Sequence, residues 1–194
     1  MSMNKTNPLL LDIPDCFESE RLIIRAPKWG DGTELNEAVK ESFEQLRPWM
    51  PWAQALPAPA DSESVVRRAH LRFMERTDLM LLLTLKETGQ LVGCSGLHRI
   101  DWEARKFEIG YWVRTSFSKQ GFIKEATDAI TNYAIQELQA NRIEIRCDER
   151  NTQSAKVAQR LGFALEGILR NDSSDTDGTL RSTMIFSKIR GVEF

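Results

Sequence analysis

Between residues 107 and 125 the chain changes its hydrophobic period, and that change limits the folds open to it. In FEIGYWV, Phe107, Ile109, Tyr111 and Val113 alternate with Glu108, Gly110, Trp112 and Arg114, the two-residue period of a strand. A polar loop follows, Thr115 to Gln120. From Gly121 onward Phe122, Ile123, Ala126, Ala129, Ile130, Tyr133, Ala134 and Leu138 recur at three- and four-residue steps. That spacing is one face of a long helix. Strand, glycine-bearing turn and helix in that order predict an α/β chain with a turn at a helix N-terminus.

Such a turn suits an anion. The N–H groups of a first helical turn have no partner within the helix, and the helix dipole is positive there. Gly121 tolerates positive φ and close approach. Lys119 and Lys124 add charge on either side. The turn is therefore expected to grip the pyrophosphate of a nucleotide-type cofactor. There is no GxxxxGK[ST] and no GxGxxG, so neither a P-loop nor a dinucleotide fingerprint accounts for it.

The rest of the chain fits around this unit. Residues 1–20 read as a lead-in. Arg21–Ala26 is a short strand stopped by Pro27, and Asp31 with Glu34 resembles a capping box before a helix carrying Leu35, Ala38, Val39, Ser42, Phe43 and Leu46. Arg47 to Ala53, RPWMPWA, breaks that helix with two prolines and two tryptophans. Trp49 and Trp52 either cover a core edge or wall a substrate pocket. A second helix is expected from Asp61 or Ser62, with Val65, Val66, Ala69, Phe73 and Met74 inward and Arg67, Arg68 and His70 among its polar positions. Leu79–Leu85 and Gln90–His98 form a hairpin around a KETG turn. His98, beside Arg99, reads as a surface residue at a strand end.

Beyond the long helix, Arg142–Asp148 alternates as a strand. Asn151 opens a short helix that Gly162 ends, and residues 163–168 and 179–188 close the chain as two strands around a polar hairpin. One domain over residues 21–194 is expected. Net charge is −2, which gives no footprint for nucleic acid. No apolar run approaches the ~18 residues of a membrane span, and the start lacks a signal-peptide core. The three cysteines, Cys16, Cys94 and Cys147, make no metal spacing with His70 or His98. Reduced, buried or inert thiols in a cytoplasmic protein without a metal are expected.

The succession EIGYW, FSKQGFIKEA, NRIEIRCDERNTQSAKVAQRLGF and LEG, with RPWMPW before it, resembles the RimJ/RimL-type branch of the GNAT acetyltransferases. The resemblance covers most of the chain from residue 21. It implies a GNAT fold: a twisted, mixed, mostly antiparallel sheet flanked by helices and splayed between its fourth and fifth strands, with acetyl-CoA in the opening. The superfamily's phosphate loop reads Q/R-x-x-G-x-G/A; here it reads Ser118-Lys119-Gln120-Gly121-Phe122-Ile123, matching at Gly121. Backbone N–H groups from Lys119 to Lys124 would carry most phosphate contacts.

The implied reaction is direct attack of an amine on the thioester. A backbone N–H near Val113, beside Trp112, would hold the oxyanion. Glu108 is the candidate general base, or else a structural carboxylate, and it also faces the acceptor. Ser154 matches the branch's proton donor to the thiolate, and Asn151 its hydrogen bond to the pantetheine arm; both also suit local helix-capping roles. Ser173, with Asp172, stands near the point where ribosomal-protein enzymes carry a further glutamate, and no base is assigned there. The acceptor is the N-terminus of a protein, plausibly ribosomal, or a small-molecule amine. A non-catalytic acyl-CoA-binding module is the alternative from another class. Homodimers occur in this branch.

Overall fold

A computed structural model of the chain describes residues 7–175 and 178–194. Its strands are β1 (Cys16–Glu18), β2 (Leu22–Arg25), β3 (Leu79–Leu85), β4 (Leu91–Asp101), β5 (Lys106–Val113), β6 (Arg142–Asp148), β7 (Ala164–Ser174) and β8 (Leu180–Ile189). They form one sheet in the order β1-β2-β3-β4-β5-β6-β8-β7. Every neighbouring pair is antiparallel except β5 and β6. The helices are α1 (Gly32–Leu46), α2 (Pro59–Glu75), α3 (Phe122–Gln136) and α4 (Thr152–Arg160).

The sheet parts at one place. β4 and β5 pair along their length, from Asp101↔Lys106 to Gly93↔Val113. β5 and β6 pair only over Lys106–Glu108 with Arg142–Glu144. Beyond Glu108 the two strands diverge. Counted from Leu22–Arg25, this is the parting of the fourth and fifth strands; the added strand β1 raises each number by one.

Strand alternation sends β5 side chains to two cores. Phe107 and Ile109 are buried with Phe122, Ala126, Ile130 and Ala134 of α3 and Ala155 and Ala158 of α4. Trp112 packs on the other face, against Leu35, Ala38 and Val39 of α1 and Val66 of α2. The twenty-five buried members of the larger cluster make the α3 side the principal core.

Several local expectations need correction. Residues 16–18 are not a loose lead-in: β1 pairs with β2, and Phe17 stacks on Tyr133 at 4.3 Å. A three-residue strand is too short to show a period. The capping box at α1 does not form. Arg25 and the Lys28 N–H take the Asp31 carboxylate, and Glu34 accepts from the Leu91 N–H. The α1 terminus is instead met by Glu63, which accepts from the N–H groups of Gly30 and Gly32 at 3.0 Å each. α2 starts at Pro59, two residues early, with Asp61 accepting from the Ala58 N–H. Val65 and Met74, expected inward, are exposed. β7 runs on to Ser174, so the first half of the expected polar hairpin, Asn171–Gly178, is strand; Thr176 and Asp177 lie outside the described residues. Cys94 is buried but Cys16 is exposed.

Candidate functional site

The turn between β5 and α3 is built for an anion. Thr115–Phe117 makes one 3-10 turn, and Lys119 and Gly121 both take left-handed backbone, φ 61° and 85°. Positive φ at lysine is uncommon and needs outside support. Arg21 supplies it from the start of β2. Its guanidinium donates to the Gln120 carbonyl at 3.2 Å, lies 4.1 Å over the Phe122 ring, and pairs with Glu125 at 2.7 Å. Glu125 in turn accepts from the Arg21 N–H and the Ser19 hydroxyl, each at 2.7 Å. Among the described residues, the N–H groups of Lys119, Gln120, Gly121, Phe122, Ile123 and Lys124 have no acceptor. A run of free N–H groups at a helix N-terminus fits a diphosphate. Ile123 turns its bulk into the main core. Ser118 gives its N–H to the Thr115 carbonyl, and the Gln120 amide closes back on the Ser116 carbonyl at 2.9 Å.

From the turn, the parted edge of β5 leads towards Glu108. The Arg114 N–H donates to Val92 on β4 at 2.7 Å. Alternation therefore turns the Val113 N–H the other way, into the opening. Across the opening stands the first turn of α4. Asn151 caps it, its Oδ1 accepting from the Ser154 N–H at 3.1 Å. The Ser154 hydroxyl lies 3.0 Å from the Tyr111 phenol, which also donates to the Ser154 carbonyl at 3.1 Å. Burial pushes the Tyr111 phenol up to about 12, partly offset by its bond to Ser154. Burial also raises Cys147, whose thiol contacts Ser154. Ser154, Tyr111 and Cys147 thus make one polar knot where the strands part. Tyr111 was legible only as an inward strand residue.

The opposite face of the opening is charged. Glu108 and Glu144 are register partners across β5 and β6. Glu108 meets Arg99 at 3.1 Å. Glu144 accepts from Arg142 at 2.6 Å, and Arg142 continues to Glu166. The bonds from Arg142 and then Ser187 hold the Glu166 carboxyl down at about 2. Glu108, Glu144 and Glu166 thus gather three carboxylates on this face, each paired with Arg99 or Arg142, and a carboxylate suits an ammonium ion. Sequence reading singled out Glu108 alone, since Glu144 joins it only through parallel register. Ser173 lies opposite Arg181 near the end of β7, and Asp172 pairs with Arg146 at 3.1 Å.

Trp52 is 53% exposed and sits 6.1 Å from Trp112, ring to ring, on the α1–α2 side. It covers no core. Trp49 is half-buried, its N–H bonded to the Leu46 carbonyl. His98 is not a surface strand end. It lies within β4, half-buried, with Nδ1 2.7 Å from Asp78. Among the described residues no group of three or more His, Cys, Asp or Glu side chains is arranged for a metal ion, and no helix is long and apolar enough to cross a membrane.

Comparison with known proteins points one way. Residues 21–164 match the family model described as an acetyltransferase (GNAT) domain. The chain is 30% identical over 158 residues to "Putative ribosomal N-acetyltransferase YdaF" of Bacillus subtilis (strain 168), covering 80% of this chain and 85% of that one. It is 29% identical over 162 residues to the ribosomal-protein-serine acetyltransferase of Escherichia coli (strain K12), covering 81% and 89%. Among solved structures, RimL, a ribosomal L7/L12 α-N-protein acetyltransferase in complex with coenzyme A, superposes with a TM-score of 0.82 at 22% identity, over 91% of this chain and 97% of that one. The microcin C7 self-immunity acetyltransferase MccE, in complex with acetyl-CoA and AMP, gives 0.81 at 23%, over 88% and 93%. At these identities the structural likeness speaks for the fold.

Proposed function

We propose, for a chain that belongs to the acetyltransferase (GNAT) family, that this N-acetyltransferase moves acetyl from acetyl-CoA to the N-terminal α-amino group of a protein, a ribosomal one in the first instance. The names of its relatives favour that acceptor. Residues 21–194 act as one domain, in the cytoplasm. The observation that carries the cofactor half is the run of six free N–H groups from Lys119 to Lys124 beside the parted strands.

In this reading the diphosphate of acetyl-CoA lies on residues 118–124 and its pantetheine arm runs into the opening past Asn151. The amine enters from the side of Trp49, Trp52 and Trp112, towards the carboxylates of Glu108 and Glu144. It attacks the thioester carbon. The Val113 N–H stabilises the tetrahedral oxyanion as charge develops on it. As the C–S bond breaks, the sulfur takes a proton from the Ser154 hydroxyl, and the nitrogen gives up one in exchange as the amide forms. The α-amino acceptor helps: its pKa is about 8, so a useful fraction is neutral at pH 7, whereas a lysine near about 10.4 is almost wholly charged.

The test is to incubate the protein with acetyl-CoA and a panel of N-terminal peptides, polyamines and free amino acids, following release of free thiol. Turnover with peptides, and mass spectra placing the acetyl group on the α-nitrogen, support the reading. Turnover confined to polyamines or amino acids overturns the acceptor while leaving the chemistry; acetyl-CoA binding without any turnover overturns both.

A further inference from the structure

Asp78 and His98 form a pair that the proposed acetyl transfer leaves unused. His98 shares its face of the sheet with Glu108, its register partner on β5. That is the α1–α2 face, on which the tryptophans stand. Its imidazole lies where two facing glycines leave room. Gly96 and Gly110 are register partners, and a Cβ added to either would come within 3.0 Å of the ring. At Gly110 the approaching atoms are Cδ2 and Nε2, at 3.0 and 3.3 Å. The Nε2 side of the ring therefore lies over β5, the strand that borders the opening, while Nδ1 reaches back to Asp78 at 2.7 Å.

That second contact decides the tautomer. A carboxylate at Nδ1 accepts its hydrogen, which leaves the lone pair on Nε2. Among the described residues Nε2 has no hydrogen-bond partner, and the side chain is 32% exposed. Glu108, the neighbouring carboxylate, is already held by Arg99 at 3.1 Å. A ring filling a gap for packing alone would need neither the carboxylate behind it nor a free nitrogen in front.

We propose that His98, held by Asp78, takes the proton from the acceptor's ammonium at Nε2, while Glu108 and Glu144 attract and hold that ammonium. The inference rests on the acetyltransferase reading. The protons balance. His98 removes one from the ammonium and passes it to solvent. The freed lone pair forms the C–N bond. The nitrogen then sheds a second proton as the C–S bond breaks, equal to the one that sulfur gains through Ser154. Asp78 is a positioning residue, balancing the charge on the ring while it is protonated.

The test compares wild type with His98→Gln and Asp78→Asn on acceptors of graded basicity, from a lysine side chain through a peptide α-amine to a weakly basic amine that is neutral at the assay pH. His98→Gln is expected to lower kcat/KM about 100-fold on the most basic acceptor and progressively less on the weaker ones, with acetyl-CoA KM unchanged. Asp78→Asn should show the same trend, less steeply. A merely structural ring would cost every acceptor alike. An equal loss across the series, or rates within twofold of wild type, overturns the proposal; should His98→Gln fail to fold, Asp78→Asn decides it by the same slope. If wild type acetylates no amine, the acetyltransferase reading fails, and this inference with it.

Discussion

At the residue scale the site turns on contacts between groups far apart in the chain. Ser154 could be singled out from its sequence context. Its setting could not, because Tyr111 and Cys147 reach it from two strands that diverge around it. The same holds for Gly121. Its turn was legible from the change of period, whereas Arg21, which braces that turn through Gln120, Phe122 and Glu125, stands 100 residues earlier and carries no local signal. His98 reads in sequence as a surface residue because the charged Arg99 follows it; the glycine pair that receives its ring exists only once β4 and β5 are in register. One substitution separates Ser154's two roles. Ser154→Ala removes the hydroxyl but keeps the backbone N–H that Asn151 caps. Steady-state kinetics on a good acceptor should show kcat lowered by about 10–1,000-fold, water supplying part of the proton. An unchanged kcat would reduce the serine to a helix residue.

At the scale of elements, the kind and order of the helices and central strands follow from hydrophobic period, while their ends do not. α1 shows why. Its nearby sequence offers Asp31 and Glu34 as caps, but Glu63 of α2 meets its terminus, so those acidic residues take other partners. β6 is fixed in a similar way from outside. Asp148, with a side chain 2% exposed, accepts from Arg150 and from Arg181 of β8 at 2.7 Å each. Those bonds, Arg150's foremost, hold its carboxyl well below the usual aspartate range. A carboxyl depressed in the folded state stabilises fully above its unfolded value, about 3.9, and the contribution is lost as pH falls below that. Asp148→Asn leaves Arg181 largely buried without its anion and should cost ~3 kcal/mol by denaturant titration at pH 7. The difference from wild type should shrink below about pH 4. A variant as stable as wild type at pH 7 would show that this end of β6 is held by packing alone.

At the scale of the whole molecule, the arrangement that matters is a sheet that pairs fully up to β5 and then opens. In the proposed function the helices on its two faces divide the labour: α3 and α4 would frame the cofactor side, α1 and α2 the acceptor side. Sequence period predicts the strands on either side of the gap but not the gap, since parting is a property of register between Glu108 and Glu144. The resemblance to GNAT enzymes supplied what period lacked. In the proposed function acetyl-CoA lies in this opening, its diphosphate on the free N–H groups at the start of α3. Amide hydrogen exchange measured with and without acetyl-CoA tests it most directly. Exchange should slow at Lys119 to Lys124 and at Val113, with little change on β1 and β2. Saturating acetyl-CoA that leaves those seven amides exchanging as before would contradict it.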